Sequence, residues 1–256
     1  MIRKIFLASA LVASTAFASW DLFPVLGNHK GQAKVASSLK TYEYLHHDYS
    51  IFGAAASARY TVIPKLELAL DLPYRIMTED NGKDQNMDGL GNIGLSARYQ
   101  FTSSMNAFTD VFIPVGDESY NEKGAWGFNV GAQYSVEFSQ MLNFGSELGI
   151  NFETKGDDHE APVFAFGAAE LDFRLSPQFT PYIGTNLAVG IGAFKHYSYL
   201  SSHGGGEVYI EPYIGGTYDI NHNISLDVSA SFGKWINADN SPNVTTTASL
   251  ALLFNF

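Results

Sequence analysis

Hydrophobic and polar residues alternate along most of the chain. In the segment WGFNVGAQYSVEF (126–138), every even position is apolar and every odd position is a glycine or carries a polar side chain. A period of two places successive side chains on opposite faces of a β-strand. Twelve segments follow this pattern, some more weakly than others: 33–45, 51–62, 66–74, 92–101, 106–115, 126–138, 142–153, 162–175, 180–194, 207–220, 224–232 and 244–256. The pattern predicts an all-β chain of about twelve amphipathic strands.

The connections between these segments alternate in length. Short turns are predicted near 62–65, 102–105, 139–141, 176–178 and 221–223. Longer polar loops fall between them at 78–88, 116–124, 155–161, 195–206 and 237–243. This regularity is typical of an antiparallel up-and-down meander and is not expected of a soluble sandwich with Greek-key crossings.

The polar faces of the predicted strands are unsuited to a water-exposed exterior, because most of their residues are small and uncharged. Charged residues are 16% of the chain, against roughly 25% in a typical soluble domain. Each segment is close to the roughly 9–11 residues that a tilted strand needs to cross a bilayer. Sheet edges do not survive in lipid, so the last strand must pair with the first. We therefore predict a transmembrane β-barrel of outer-membrane type over residues 33–256, with acidic outer loops and both termini in the periplasm.

The N-terminus has the features of an export signal. MIRKIFLASALVASTAFA (1–18) combines two basic residues, a short apolar stretch and an A-x-A site, which predicts export and cleavage after Ala18. Together with the predicted barrel, export indicates the outer membrane of a Gram-negative cell. Residues 19–32 form a predicted periplasmic N-terminal segment, too short for a folded plug. Its Trp20, Phe23 and Pro24 could tuck inward and narrow a pore.

Charge and composition exclude several classes of function. A formal net charge of -11 argues against nucleic acid as a partner, since phosphate binding needs a basic patch. The absence of cysteine excludes disulfides and thiolate metal sites. GLGNIG (89–94) matches the spacing of a dinucleotide-binding loop, but an alternating strand follows it where a helix is required. We expect no cofactor.

Charged residues on the polar parity are candidates for the lining of the lumen. The turn spacing places Arg59 nearly opposite Glu67, and Arg98 nearly opposite Asp110, which predicts cross-strand ion pairs. The lumen-lining candidates are Arg59, Glu67, Asp71, Arg98, Asp110, Glu137, Glu147, Glu170, Asp172, Arg174 and Glu211. One interpretation is a lumen with a paired wall and an acidic wall that favours cations; the other is that the carboxylates are simply solvated.

A calcium site is a further candidate, on the predicted 78–88 loop. Asp84, Asn86 and Asp88 have the offsets of the first half of an EF-hand loop, but Leu95 stands at the position of its last ligand. A solvated acidic loop is the alternative. The seven histidines form neither a metal site nor a catalytic set by their spacing, so no enzyme is expected.

Three short stretches resemble known barrel proteins. DGLGNIGLSARYQF (88–101) and FIPVGDES (112–119) are similar to motifs of the barrel family associated with the meta-pathway of phenol degradation, with Asn92 where that family usually has aspartate. The terminal strand with Phe256 last resembles the signal read by the barrel-assembly machinery. The resemblance implies a barrel in outer-membrane lipid that passes small, aromatic or apolar solutes. Alternatives are a sealed structural or surface-recognition barrel and a lipid-modifying enzyme.

Overall fold

Twelve long strands build the molecule. The computed structural model describes residues 22–85, 87–116, 124–154, 162–193, 206–236 and 242–256. The strands are β1 (Gly31–Tyr44), β2 (His47–Ile63), β3 (Leu66–Asp80), β4 (Ile93–Gln100), β5 (Met105–Ile113), β6 (Gly127–Ser139), β7 (Leu142–Glu153), β8 (Pro162–Phe173), β9 (Phe179–Ala193), β10 (Val208–Asn221), β11 (Ile224–Ile236) and β12 (Thr245–Asn255). The prediction of a twelve-stranded all-β fold is confirmed.

The sheet closes on itself. Each long strand pairs antiparallel with its neighbours in sequence, and β1 pairs with β12 in a register that runs from Gln32 opposite Asn255 to Thr41 opposite Thr246. Closure leaves no unpaired edge, which is the condition for a sheet in hydrocarbon. Among the described residues, no helix is long and apolar enough to cross a membrane.

The two faces of the sheet have the polarity of a membrane barrel. Large apolar side chains point outward, for example Leu148 on β7, which is 74% exposed. Polar and charged side chains are buried inside; the side chains of Thr61, Glu67 and Arg98 have no exposed surface. A soluble barrel would show the opposite arrangement, with apolar residues in its core.

One end of the barrel, called here the turn end, carries the short turns and the start of β1. The other end carries the long connections, with one difference from the predicted loops. β3 continues to Asp80 and forms a hairpin with the two-residue strand Lys83–Asp84, so the first part of the predicted 78–88 loop, residues 78–84, is a β-hairpin. The hairpin turns at Asn81 and Gly82, both with positive φ, as a two-residue Asn-Gly turn requires.

Two adjacent residues of β12 provide a test of the assignment of faces. Replacing Leu250 by arginine is expected to lower the free energy of unfolding by about 2–4 kcal/mol, because Leu250 points outward near the middle of the strand. Ser249→Arg is expected to cost much less, since Ser249 lines the water-accessible interior. Urea unfolding in lipid vesicles measures both values, and equal costs would contradict the assignment.

Candidate solute pathway

The chain that precedes β1 lies inside the barrel. Residues 22–30, called here the N-terminal segment, end at a buried Leu22 that packs on Gly145 of β7; a Cβ added to Gly145 would lie 2.6 Å from Leu22 Cβ. β1 and β7 are six strands apart in a ring of twelve, so the segment crosses the width of the lumen. Phe23 lines the interior cavity, whereas Pro24 is exposed. Trp20 lies outside the described residues.

Side chains of the barrel wall hold this segment through its backbone. Arg98 Nη1 donates a hydrogen bond to the Phe23 carbonyl oxygen at 2.8 Å. The Leu26 amide donates to Glu67 Oε2 at 2.9 Å, and Thr61 Oγ1 donates to the Leu26 carbonyl oxygen at 2.9 Å. The segment has no regular secondary structure, so these bonds satisfy backbone groups that would otherwise be buried without partners.

The same residues form a buried ion network. Arg98 Nη2 lies 2.7 Å from Glu67 Oε1, and Arg59 Nη1 lies 3.8 Å from the same oxygen. The predicted pairing of Arg59 with Glu67 is therefore present. One carboxylate therefore lies between two guanidinium groups inside the β2–β4 wall.

The predicted pairing of Arg98 with Asp110 stays a prediction; the two residues lie on paired strands, one diagonal step apart in the register. Asp110 lies opposite Ser96, and its Oδ2 accepts a hydrogen bond from Asn129 at 3.0 Å. Arg98 lies directly opposite Glu67 across the β3–β4 pair. The position of the turn predicted a partner for Arg98 on β5, the strand that follows. The ion pair at 2.7 Å joins Arg98 to Glu67 on β3, the strand on the other side of β4.

Beside the N-terminal segment, the lumen contains a cavity of about 380 Å³. Its charged lining is strongly acidic. Seven carboxylates line it: Asp71, Asp110, Glu147, Glu170, Asp172, Glu211 and Asp227. Lys34 and Arg59 are the basic residues among the described side chains of this lining. The cavity therefore carries an excess of negative charge.

The same cavity has a large aromatic surface. Six rings line it: Phe23, Phe108, Phe112, Phe166, Tyr182 and Tyr213. On β9 to β12 the lining is rich in hydroxyl groups: Thr180, Thr217, Ser229, Ser231, Thr247 and Ser249. A molecule in the cavity can thus contact ring carbons, hydroxyl groups and carboxylates at the same time.

Two of the carboxylates are held in place by hydroxyl donors. Tyr182 Oη donates to both carboxylate oxygens of Asp227, at 3.0 and 3.1 Å, and Thr217 Oγ1 donates to Oδ2 at 2.9 Å. Ser231 Oγ donates to Glu211 Oε1 at 2.8 Å. These bonds fix the orientation of the acids against the β9–β11 wall and keep the space in front of them free.

The predicted lumen-lining residues fall into three groups. Seven line the cavity: Arg59, Asp71, Asp110, Glu147, Glu170, Asp172 and Glu211. Glu67 and Arg98 are fully buried where the N-terminal segment lies. Glu137 and Arg174 do not line the cavity: both are exposed at the turn end, Glu137 near the end of β6 and Arg174 one residue beyond the end of β8.

Several lining residues were missed by sequence reasoning. Lys34 lines the cavity and Lys40 is buried in the interior, both on β1. The outward parity of β1 includes Ser37 and Thr41, so it lacks the apolar face that would have marked the lysines as inward. Asp227 could have been found, because the apolar residues around it on β11 define its parity clearly.

The calcium prediction remains a prediction. Asn86 lies outside the described residues, and Asp84 is part of the β3 hairpin. Within the described ranges, no three His, Asp or Glu side chains are close enough to hold a metal ion.

The closed sheet and its lined interior define a β-barrel of outer-membrane type. Residues 15–251 match the family described as "Putative MetA-pathway of phenol degradation". The chain belongs to this family, and the resemblance inferred from residues 88–101 and 112–119 is confirmed.

Solved structures share the fold at low sequence identity. An outer-membrane channel from Pseudomonas putida F1 has a TM-score of 0.73 and 12% identity, over 91% of this chain and 98% of that one. The NanC porin has a TM-score of 0.58 and 9% identity, over 87% and 98%. The CymD monoaromatic hydrocarbon channel has a TM-score of 0.51 and 9% identity, over 90% and 89%. The comparison with curated proteins gave no match.

Loss of one partner from the buried ion network should be costly. Arg98→Met is expected to lower the free energy of unfolding by about 3–5 kcal/mol, because the more distant Arg59 is then the remaining cation beside the buried Glu67 carboxylate. The double variant Glu67→Gln/Arg98→Met should recover part of that loss. Urea unfolding followed by tryptophan fluorescence in lipid vesicles measures both. The control is Arg174→Met at the exposed turn end, expected within about 0.5 kcal/mol of the unsubstituted protein; an Arg98→Met effect of that size would contradict the role of the network.

Proposed function

We propose that the protein is an outer-membrane channel for the passive passage of small solutes that have an aromatic or apolar body. The observation that carries this proposal is the interior cavity, in which aromatic rings and carboxylates line one continuous space. Rings supply contact area for an apolar body, and polar groups at a few positions give orientation. The channels that share the fold, one of them named for monoaromatic hydrocarbons, support this direction. The lumen selects among solutes and performs no chemistry.

The charge of the lining gives the channel a preference for cations. Seven carboxylates face the cavity against two basic side chains, and charges inside a narrow low-dielectric wall act more strongly than charges on an open surface. Rings of acidic side chains are the usual basis of cation preference in pores. A cationic solute with an aromatic part would use both features of the lining, since ring faces also attract cations.

A sealed barrel is the competing function, and one observation favours it. The N-terminal segment crosses the lumen and forms four hydrogen bonds with buried side chains. A barrel closed in this way would act as a structural or surface-recognition protein through its long loops. The two functions differ in whether the folded protein passes ions.

Export and assembly complete the proposal. The signal peptide is removed after Ala18, so that the mature chain begins at Ser19 and reaches the outer membrane through the periplasm. The barrel-assembly machinery recognises the β12 strand ending in Phe256, whose ring stacks on Tyr60 at a centroid distance of 6.5 Å once the barrel has closed. Outer-membrane lipid is then the partner of the apolar outer face.

Single-channel recording in planar lipid separates a channel from a sealed barrel. The refolded protein is expected to give discrete conductance steps, with a reversal potential under a KCl gradient that indicates cation preference. A silent bilayer, with protein shown to be folded by its heat-modifiable migration, would contradict the channel function and favour the sealed barrel.

Neutralising part of the acidic lining should reduce the preference for cations. Glu147→Gln/Glu170→Gln is expected to move the reversal potential toward zero, because two of the seven carboxylates lose their charge. Glu137→Gln removes one charge at the exposed turn end, outside the cavity, and should leave the reversal potential unchanged. An unchanged potential in the double variant would show that the lining carboxylates do not set ion selectivity.

A further inference from the structure

The aromatic residues that line the cavity from the strands have the same type of residue as a cross-strand neighbour. Each of the five rings on strands lies directly opposite a glycine of the adjacent strand. The register pairs are Phe108 with Gly131, Phe112 with Gly127, Phe166 with Gly149, Tyr182 with Gly215 and Tyr213 with Gly184. Since the rings and the glycines come from different strands, local sequence does not place them together; the register of the closed sheet does.

The rings lie over these glycines. A Cβ added to Gly215 would be 2.3 Å from Tyr182 Cζ, and one added to Gly184 would be 2.3 Å from Tyr213 Cζ. The same distances are 2.5 Å from Gly149 to Phe166 Cζ, 2.7 Å from Gly131 to Phe108 Cζ and 3.1 Å from Gly127 to Phe112 Cδ2. At all positions but the last, a Cβ would overlap the ring outright. The glycines therefore let the rings fold down against the wall.

Tyr182 and Tyr213 form the most compact example. Tyr182 of β9 covers Gly215 of β10, and Tyr213 of β10 covers Gly184 of β9, so the two pairs are reciprocal. The two rings meet edge to face, with centroids 6.2 Å apart and an interplanar angle of 67°. The hydrogen bonds from Tyr182 to Asp227 on β11 hold that ring down at its far end.

We propose that these cross-strand glycines determine the bore and the selectivity of the pathway. They let the rings lie along the wall, where the rings take little of the cross-section of the lumen. This inference rests on the proposed channel function. A glycine covered by a ring also stabilises strand pairing, so a purely structural role would change the yield of folded barrel without changing the properties of each open channel.

A substitution at Gly215 distinguishes most clearly between control of the bore and a purely structural role in strand pairing. The three heavy atoms nearest to an added Cβ all belong to the Tyr182 side chain, at 2.3, 2.4 and 2.5 Å, so an alanine acts first on that ring. At Gly184 and Gly131, by contrast, a backbone oxygen is among the three nearest atoms, at 2.7 and 2.3 Å. The next residue, Gly216, faces outward, and the three atoms nearest to its added Cβ belong to the outer Phe179 ring and the Pro181 backbone, at 3.0 to 3.5 Å.

The test compares single-channel conductance, which does not depend on how much protein folds. Gly215→Ala is expected to lower it by about two-fold or more, because the ring must swing from the wall into the cavity. Gly215→Ala/Tyr182→Ala should restore it to at least the original value. Gly216→Ala, the same change one residue along on the opposite face, should leave it unchanged.

If the unsubstituted protein conducts, three results would overturn the inference. Conductance in Gly215→Ala equal to that of the unsubstituted protein would show that the glycine does not set the bore, while the channel function would stand. A double variant as low as the single one would show that the ring is not the cause. If Gly215→Ala does not fold, Tyr182→Ala alone must show raised conductance, and no rise would contradict the proposal. A silent unsubstituted protein would instead remove the channel function itself, and the bore role with it.

Discussion

Pairing of β1 with β12 is the constraint on which the rest of the structure depends. Hydrocarbon offers no hydrogen-bond partners, so a strand edge left open in the bilayer would expose a row of unsatisfied amide and carbonyl groups. Ten register pairs along this seam close the ring. Closure of an even number of antiparallel strands brings the start of β1 and the end of β12 to the same end of the barrel. The N-terminal segment therefore begins at the rim of the turn end, where the lumen is its nearest space.

The interior then has to accommodate an irregular backbone without water on every side. Glu67 and Arg98 meet both requirements. They neutralise each other's charge, and each also forms a hydrogen bond with a backbone group of the N-terminal segment. Isolated buried charges would be strongly unfavourable, whereas paired and hydrogen-bonded charges are tolerated. The same side chains thus join the wall to the segment, and the position of the segment is tied to the integrity of β3 and β4.

Beyond the segment, the lumen combines features that are usually separate. Hydroxyl donors hold Asp227 and Glu211 against the wall, and glycines allow the aromatic rings to lie there too. Both arrangements keep side chains at the wall, so that aromatic rings and carboxylates line the same cavity. Membership of a family whose description refers to phenol degradation agrees with an aromatic surface, although the fold alone is shared by channels with different names.

Period-two alternation, in a chain with too few charges for a soluble surface, was enough to predict the strands, their number, the polarity of their faces and the need for closure. The same alternation assigned Asp71, Glu147 and Glu211 to the inner parity, and all three line the cavity. The pairing of Arg98 with Glu67, the path of residues 22–30 across the lumen and the contacts of rings with glycines became visible only in the folded barrel. These features depend on register and on side-chain direction across strands far apart in sequence. A shift of one residue in register would reverse every face, and short-range patterns contain no information on which of two neighbouring strands a long side chain will reach.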